Sequence, residues 1–314
     1  MRHGWPKNID RIMKDHSEIS PKTKKGFSFF GKKEMLAYFL VSPYLLYLTI
    51  FVLFPVLFCL FLTFHKWNII APMQFIGVDN YSRLFRDRLF WKAIVNTLKF
   101  LLLHIPLQLI VSLFLAQLLN QKIRAISFFR ASFFMPVIVS GVVVTILWQQ
   151  LFGFDAGILN RILMSVGAKK IGWLVNPDIA IYSIAVMATW KNVGLYVILF
   201  LVGLQTVPTQ YYEAAKLEGA SSWQQFYHIT LPMINPTIFL VVILSTIGGF
   251  SLFIEPYIMT GGGPLNQTLS AVLYIYKQAF QYYNMGYSAT LGFFYAMMIM
   301  TVVVLQKRLI EKEE

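Results

Sequence analysis

Tyr212-Glu213-Ala214-Ala215-Lys216-Leu217-Glu218-Gly219, followed after nine residues by Ile229-Thr230-Leu231-Pro232, decides how this 314-residue chain is read. The segment is polar and rich in small residues, yet it lies between two long apolar stretches. A chain that only had to cross a bilayer could join those stretches with a short turn. A shaped surface here points to a docking site for something that pushes on the membrane-embedded part. Pro208 suits a first helical position, because its missing N–H is one the first turn leaves unpaired anyway. Residues 209–218 are good helix formers, and Gly219 can end that helix in a left-handed conformation. Ser221, with Gln224 three residues on, spells a capping box for a second short helix. Leu231-Pro232 is expected to stop it. Two short helices set at an angle and lying parallel to the membrane are the result. Ala214 and Ala215 permit close approach of a partner, and Gly219 allows the bend.

The stretches on either side fix the class. Hydrophobic residues make up 57% of the chain and charged residues 13%, with a mean hydropathy of +0.61. A soluble domain is nearer half apolar and a quarter charged. The apolar residues fall in runs long enough to cross a hydrocarbon core of about 30 Å at 1.5 Å per residue. An all-α integral membrane protein with six transmembrane helices is predicted. The spans cover about 36–64, 94–119, 128–152, 179–204, 234–259 and 286–305. Pro43, Pro55, Pro106 and Pro136 lie within them and should kink the helices, neighbours satisfying the freed carbonyls. The domains expected are a polar tail over 1–34, a six-helix domain over 35–310 containing the polar segment 205–232, and a short end over 311–314.

Charge orients the chain. The net +13 invites a nucleic-acid reading, but the basic residues sit at the ends of apolar spans, where the positive-inside bias puts them. Nucleic acid is therefore not an expected partner. Nine of the 27 Lys and Arg lie in residues 1–34, and Lys122, Arg124, Arg130, Lys216, Lys307, Arg308 and Lys312 lie on the same side by span parity. Both termini and the 205–232 segment are thus predicted to face the cytoplasm, although the 65–92 loop is itself basic. Cys59, the single cysteine, forms no intrachain disulfide. The tail is too long and too charged for a cleaved leader. The five histidines show no metal spacing, the carboxylates are scattered, and no nucleophile–base set is apparent. No catalytic and no metal site is expected.

The spacing E-A-A, three residues, G, nine residues, I-x-L-P resembles the EAA coupling loop of ATP-binding-cassette (ABC) import permeases. Other segments resemble the carbohydrate-uptake class, the maltose and glycerol-3-phosphate permease family. These are Ser42-Pro43-Tyr44, Phe54-Pro55, Phe64-His65-Lys66-Trp67, Phe75-Ile76-Gly77-Val78-Asp79-Asn80-Tyr81, Phe90-Trp91, Asn96-Thr97, Thr260-Gly261-Gly262-Gly263-Pro264 and Met285-Gly286-Tyr287-Ser288-Ala289. The resemblance covers about 36–305. It implies the type I importer (MetI-like) fold, multi-pass in a bacterial cytoplasmic membrane. The chain would be a transport subunit rather than an enzyme, working with a second, homologous permease, two ABC ATPase subunits and an extracellular solute-binding protein. It would carry no cofactor, with ATP and Mg on the ATPase. It also implies an ATPase-coupling set of Tyr212, Glu213, Ala214, Ala215, Gly219, Ile229, Leu231 and Pro232. The Thr260–Pro264 loop lacks a following Lys-Ser/Thr, so it is no phosphate loop; a flexible extracellular turn is expected instead.

Polar groups at membrane depth point to a pathway. Lys191 and Asn192 lie in the middle of the fourth span, and Glu255 lies in the outer half of the fifth. Ionisable groups there cost on the order of 3 kcal/mol on insertion scales. The resemblance places Lys191, Asn192, Ser245, Gly249 and Leu252 around the solute. Gly249 and Leu252 lack the amides of a maltose site, and a free Lys191 would suit an anionic sugar. Against that stands a structural Lys191–Glu255 pair inside the bundle. Trp190 and Tyr196 are candidate sugar-stacking rings. A rival reading is a stand-alone secondary transporter or channel using Lys191 and Glu255 as a relay. The solute expected is a sugar, an oligosaccharide or a sugar derivative, with membrane lipid around the spans.

Overall fold

The computed structural model describes residues 32–121 and 126–310. Most of the expected tail, Lys122, Arg124 and the last four residues, Lys312 among them, lie outside the described residues.

The chain clusters into two units, Met1–Val56 and Leu57–Glu314. In the first, helix α1 (Lys32–Leu48) carries Pro43 and leads into a π turn, Thr49–Leu53. That turn closes with a bond from Phe54 N–H to Thr49 O, immediately before Pro55. A proline ring crowds the carbonyl four residues back, and a widened turn gives that carbonyl room. Helix α2 (Phe54–Leu62) follows.

In the second unit, a two-stranded hairpin pairs β1 (His65–Lys66) with β2 (Gln74–Phe75). Helix α3 (Asp79–Arg86) comes next. Its Asn80 side chain donates to Thr63 O (2.9 Å) and His65 O (3.1 Å), tying the hairpin to the helix. Helix α4 (Arg88–Leu119) runs unbroken through Pro106. Asp87 caps it, accepting from Leu89 and Phe90 N–H at 3.0 and 3.1 Å.

The third apolar segment is not one kinked helix. It consists of α5 (Ile126–Ile138) and α6 (Gly141–Leu151), bent by 98° at the break between them. Pro136 withholds one intrahelical bond, and Ser140 turns extended at ψ 127° three residues after Val137. The expected single span 128–152 is therefore corrected to a broken pair. Helix α7 (Ile158–Ser165) lies in the following loop, stapled by the buried amide of Asn160.

Helix α8 (Ala180–Gln205) is the most enclosed of the long helices. Helices α9 (Thr209–Leu217) and α10 (Ser222–Gln225), a second π turn at Phe226–Thr230 and α11 (Leu231–Met233) make up the polar segment. Leu231-Pro232 does not stop the second helix there, as the sequence predicts. The π turn, closed by Leu231 N–H on Phe226 O, again accommodates a proline, and the helix continues to Met233.

The fifth segment, Asn235–Met259, keeps the length of the single span expected there but is interrupted inside it. Helix α12 (Asn235–Phe250) is separated from α13 (Ile254–Met259) by Ser251–Phe253. Helix α14 (Ala271–Tyr276) and α15 (Met285–Ile310) close the chain. The 260–270 loop between α13 and α14 is pinned rather than flexible. Lys92 donates to Leu265 O (2.7 Å), Asn96 to Asn266 O (2.7 Å), and Lys277 to Gly261 O (2.6 Å). Thr260 and Thr268 bridge its neck at 2.6 Å.

Two apolar cores form. One gathers Phe90, Phe100, Ile184, Met187, Phe250, Leu273, Tyr287 and Leu291 at the hairpin end. The other gathers Leu119, Val193, Phe200, Leu204, Ile234 and Val241 at the end that holds the polar segment. Between them lies a polar waist of His104, Gln108, Thr189, Ser245 and Thr246, all buried.

Candidate functional site

A cavity of about 460 Å³ opens beside that waist, between α4, α8, α12 and α13. Lys191 on α8 and Glu255 on α13 line it, and Lys191 Nζ donates to Glu255 Oε1 at 2.8 Å. Their side chains are 17% and 10% exposed. The break at Ser251–Phe253 sets α13 apart from α12, and Glu255 sits in its first turn. The break at Val139–Ser140 does the matching work opposite. It brings Gly141 against the ammonium group, where an added Cβ would stand 2.9 Å from Lys191 Nζ. Neither break is a local sequence signal for this pair, and the role of Gly141 was not legible.

Asn192, Tyr196, Gly249 and Leu252 also line the cavity, as the sequence predicts. Gly249 answers to packing first: a side chain there would run into Leu101. Trp190 and Ser245 do not line it. A helix turns about 100° per residue, so Trp190 points away from its neighbour Lys191, into a separate apolar groove, and packs on Trp148 at 5.4 Å. Ser245 is fully buried behind the wall. His104, which sequence reading passed over, does line the cavity. Thr189 donates its hydroxyl to Ala185 O (2.8 Å), so it receives a hydrogen bond from His104 Nδ1 at 2.9 Å.

The polar segment has two faces. Tyr212 and Ile229 pack on the second core, and the Tyr212 hydroxyl meets Thr230 Oγ1 at 2.9 Å. Gln225 donates to Ala220 O (2.8 Å), bracing the corner from inside. The corner itself is Gly219, at φ +84°, a conformation costing an L side chain about 1–2 kcal/mol. The Ser221–Gln224 capping box is complete. Glu213, Ala214, Gly219 and Pro232 are exposed, with Ala215 and Leu231 half-buried. Beside them stand two largely exposed apolar side chains, Leu217 (91% exposed) and Trp223 (72%), the latter against the Phe226 ring at 5.7 Å.

At the hairpin end, Asp87 Oδ2 accepts from Tyr274 (2.7 Å) and Tyr287 (2.6 Å). Burial pushes its carboxyl up. The tyrosine hydroxyls and the capped N–H groups of Phe90 and Leu89 outweigh that and hold it below the ordinary aspartate value. Arg83 lies over the Tyr287 ring at 3.9 Å.

The model of the binding-protein-dependent transport system inner membrane component family matches residues 108–312. The chain belongs to this family. It is an integral-membrane permease subunit of an ABC importer, which removes the stand-alone transporter as a reading. The permease is 36% identical over 272 residues to the lactose transport system permease protein LacF of Rhizobium radiobacter, covering 85% of this chain and 91% of that one. It is 32% identical over 285 residues to the arabinooligosaccharides transport system permease protein AraP of Bacillus subtilis (strain 168), covering 89% and 90%. A bacterial alginate ABC transporter, solved in complex with an alginate pentasaccharide-bound periplasmic protein, shares the permease's fold. Its TM-score is 0.75 at 24% identity, over 88% of this chain and 93% of that chain.

Proposed function

We propose that the permease carries a neutral, hydroxyl-rich sugar or oligosaccharide past the Lys191–Glu255 pair. The observation that supports this is the pair itself. An unpaired lysine would attract an anion, but Glu255 at 2.8 Å neutralises the charge, so the argument for an anionic sugar falls away. What remains is a strong donor beside a strong acceptor, which matches hydroxyl groups that both give and take hydrogen bonds. The relatives named for lactose and arabinooligosaccharide transport fit the same class. Asn192 and Tyr196 add an amide and a phenol to the wall.

In this reading an extracellular binding protein delivers the solute. A second permease completes the translocation path, and two ATPases work on the cytoplasmic side of a bacterial membrane, where both termini also lie. Glu213, Ala214, Ala215 and Gly219 present the docking face to one ATPase, while Tyr212 and Ile229 tie that face to the bundle and Leu231 and Pro232 lead the chain on toward the fifth span. ATP and Mg stay on the ATPase. The test is purification through a tag on this chain in mild detergent, partners identified by mass, then uptake into proteoliposomes. Lactose, arabinotriose and an acidic uronide are compared. Preferred uptake of a neutral sugar by a complex containing a second permease and an ATPase is expected. Preference for the uronide would overturn the neutral-solute assignment.

A further inference from the structure

The waist holds a side chain that the cavity does not explain. Gln108 is fully buried on α4, and neither its amide nitrogen nor its amide oxygen has a hydrogen-bond partner. An amide left without partners in an interior is costly, and replacing it by an apolar group of the same shape would relieve the cost. Hydrocarbon offers no water to help. Its position is not accidental to the bundle. Phe100, His104, Gln108 and Ser112 recur at four-residue spacing, so they share one face of α4. The first two line the cavity. Gln108 is one turn beyond, toward the end that holds the 205–234 segment. Ser112 bonds back to the carbonyl of Gln108 and leaves its side-chain amide untouched. On α12, Ser245 lies one turn from Gly249 in the same direction; Gly249 abuts Phe100 and Leu101, so Ser245 is about level with His104 and Ile105. Its buried hydroxyl sits near Tyr196 but falls short of full hydrogen-bond geometry. Here the two apolar cores give way to each other: Ile105 packs with one and Leu109 with the other.

We infer that Gln108 is a second solute-contacting station, one helical turn past His104 of the cavity wall, which hydrogen-bonds sugar hydroxyls as they cross the waist. The inference rests on the neutral-sugar reading above. The Gln108 amide has no partner within the described residues because the ligand is the partner. A primary amide both donates and accepts, so it serves a hydroxyl without regard to its orientation.

The test compares the parent complex with Gln108→Leu and Gln108→Asn in proteoliposome uptake of lactose and arabinotriose, alongside melting of each purified complex. Gln108→Leu is expected to melt at or above the parent, since an orphaned amide is gone, while its maximal uptake rate falls tenfold or more. Gln108→Asn recovers part of that rate. Parental uptake by Gln108→Leu, within twofold, overturns the inference. So does a lower melting temperature, which would mean the amide holds the bundle together. If the parent itself carries neither sugar, the neutral-sugar reading has failed instead. A solute-independent measurement covers that case and any variant that fails to assemble. Gln108→Cys in a Cys59→Ser background is treated with a small hydrophilic thiol reagent during ATP turnover. Labelling is expected, and its absence at rest and in turnover overturns the station.

Discussion

Removing one member of the Lys191–Glu255 pair leaves the other charge in a site where side chains are only 10–17% exposed. Breaking a buried pair in this way costs about 3–5 kcal/mol. The cavity beside it admits some solvent, which favours the lower figure. About 3 kcal/mol corresponds to roughly 6–12 °C in melting temperature for a domain of this order of size. Lys191→Met and Glu255→Leu alone are each expected to show that loss. The double variant is expected to melt within a few degrees of the parent, because apolar replacement of a buried pair is close to neutral. The cycle therefore yields a large coupling energy, and the assay is melting of the purified complex in nanodiscs. Uptake is then read on the same samples. Stability returns in the double variant but transport does not, since hydroxyls have lost both donor and acceptor. Single variants as stable as the parent would refute the pairing. A double variant that transports normally would refute the solute contact and leave a structural bridge.

Two further predictions follow from the ends of the bundle. Gly219 has a left-handed backbone, and among the described residues nothing lies within 4 Å of a Cβ placed there. Asn tolerates this conformation and Val does not, so Gly219→Val is expected to lose solute-stimulated ATP hydrolysis through a misplaced corner. Gly219→Asn, and Gly219→Asp with it, keeps the corner, and uncoupling in either would report a clash with the ATPase instead. At the other end, Asp87→Ala removes a helix cap worth about 1 kcal/mol and leaves the Tyr287 hydroxyl without its acceptor, a further 1–3 kcal/mol or so. Because the folded-state value of Asp87 is depressed, its contribution is complete above the ordinary carboxylate range. It is lost as pH falls through the folded value. The parent should therefore show an acid-side drop in melting temperature that Asp87→Ala lacks.

Local signals carried the polar segment well. The Ser221–Gln224 box and the Gly219 corner each depend on a few adjacent residues and stand where the sequence predicts, while Pro208 is the extended cap one residue before the first helical position rather than that position itself. The helix end at Pro232 was misread because a π turn upstream moves the carbonyl that the proline ring would strike. Membrane helices were legible from length and hydropathy. Their breaks were not, since Val139–Ser140 and Ser251–Phe253 are fixed by what packs across them. Trp190 was grouped with Lys191 by nearness in sequence, which on a helix separates two side chains by about 100°. His104 and Gln108 did leave a mark: two polar residues four apart in an apolar run.

The polar waist divides the mechanics of the permease as well as its chemistry. Close-packed side chains resist deformation, so each apolar core moves as one stiff block. At the seam the Gln108 amide and the Ser245 hydroxyl are tied to no partner, so they would hold neither block against a small displacement. Tyr212 and Ile229 pack on the lower block, so a displacement applied at the Gly219 corner would be expected to reach that block whole. The seam at His104, Gln108 and Ser245 is where that block would slip against the upper one.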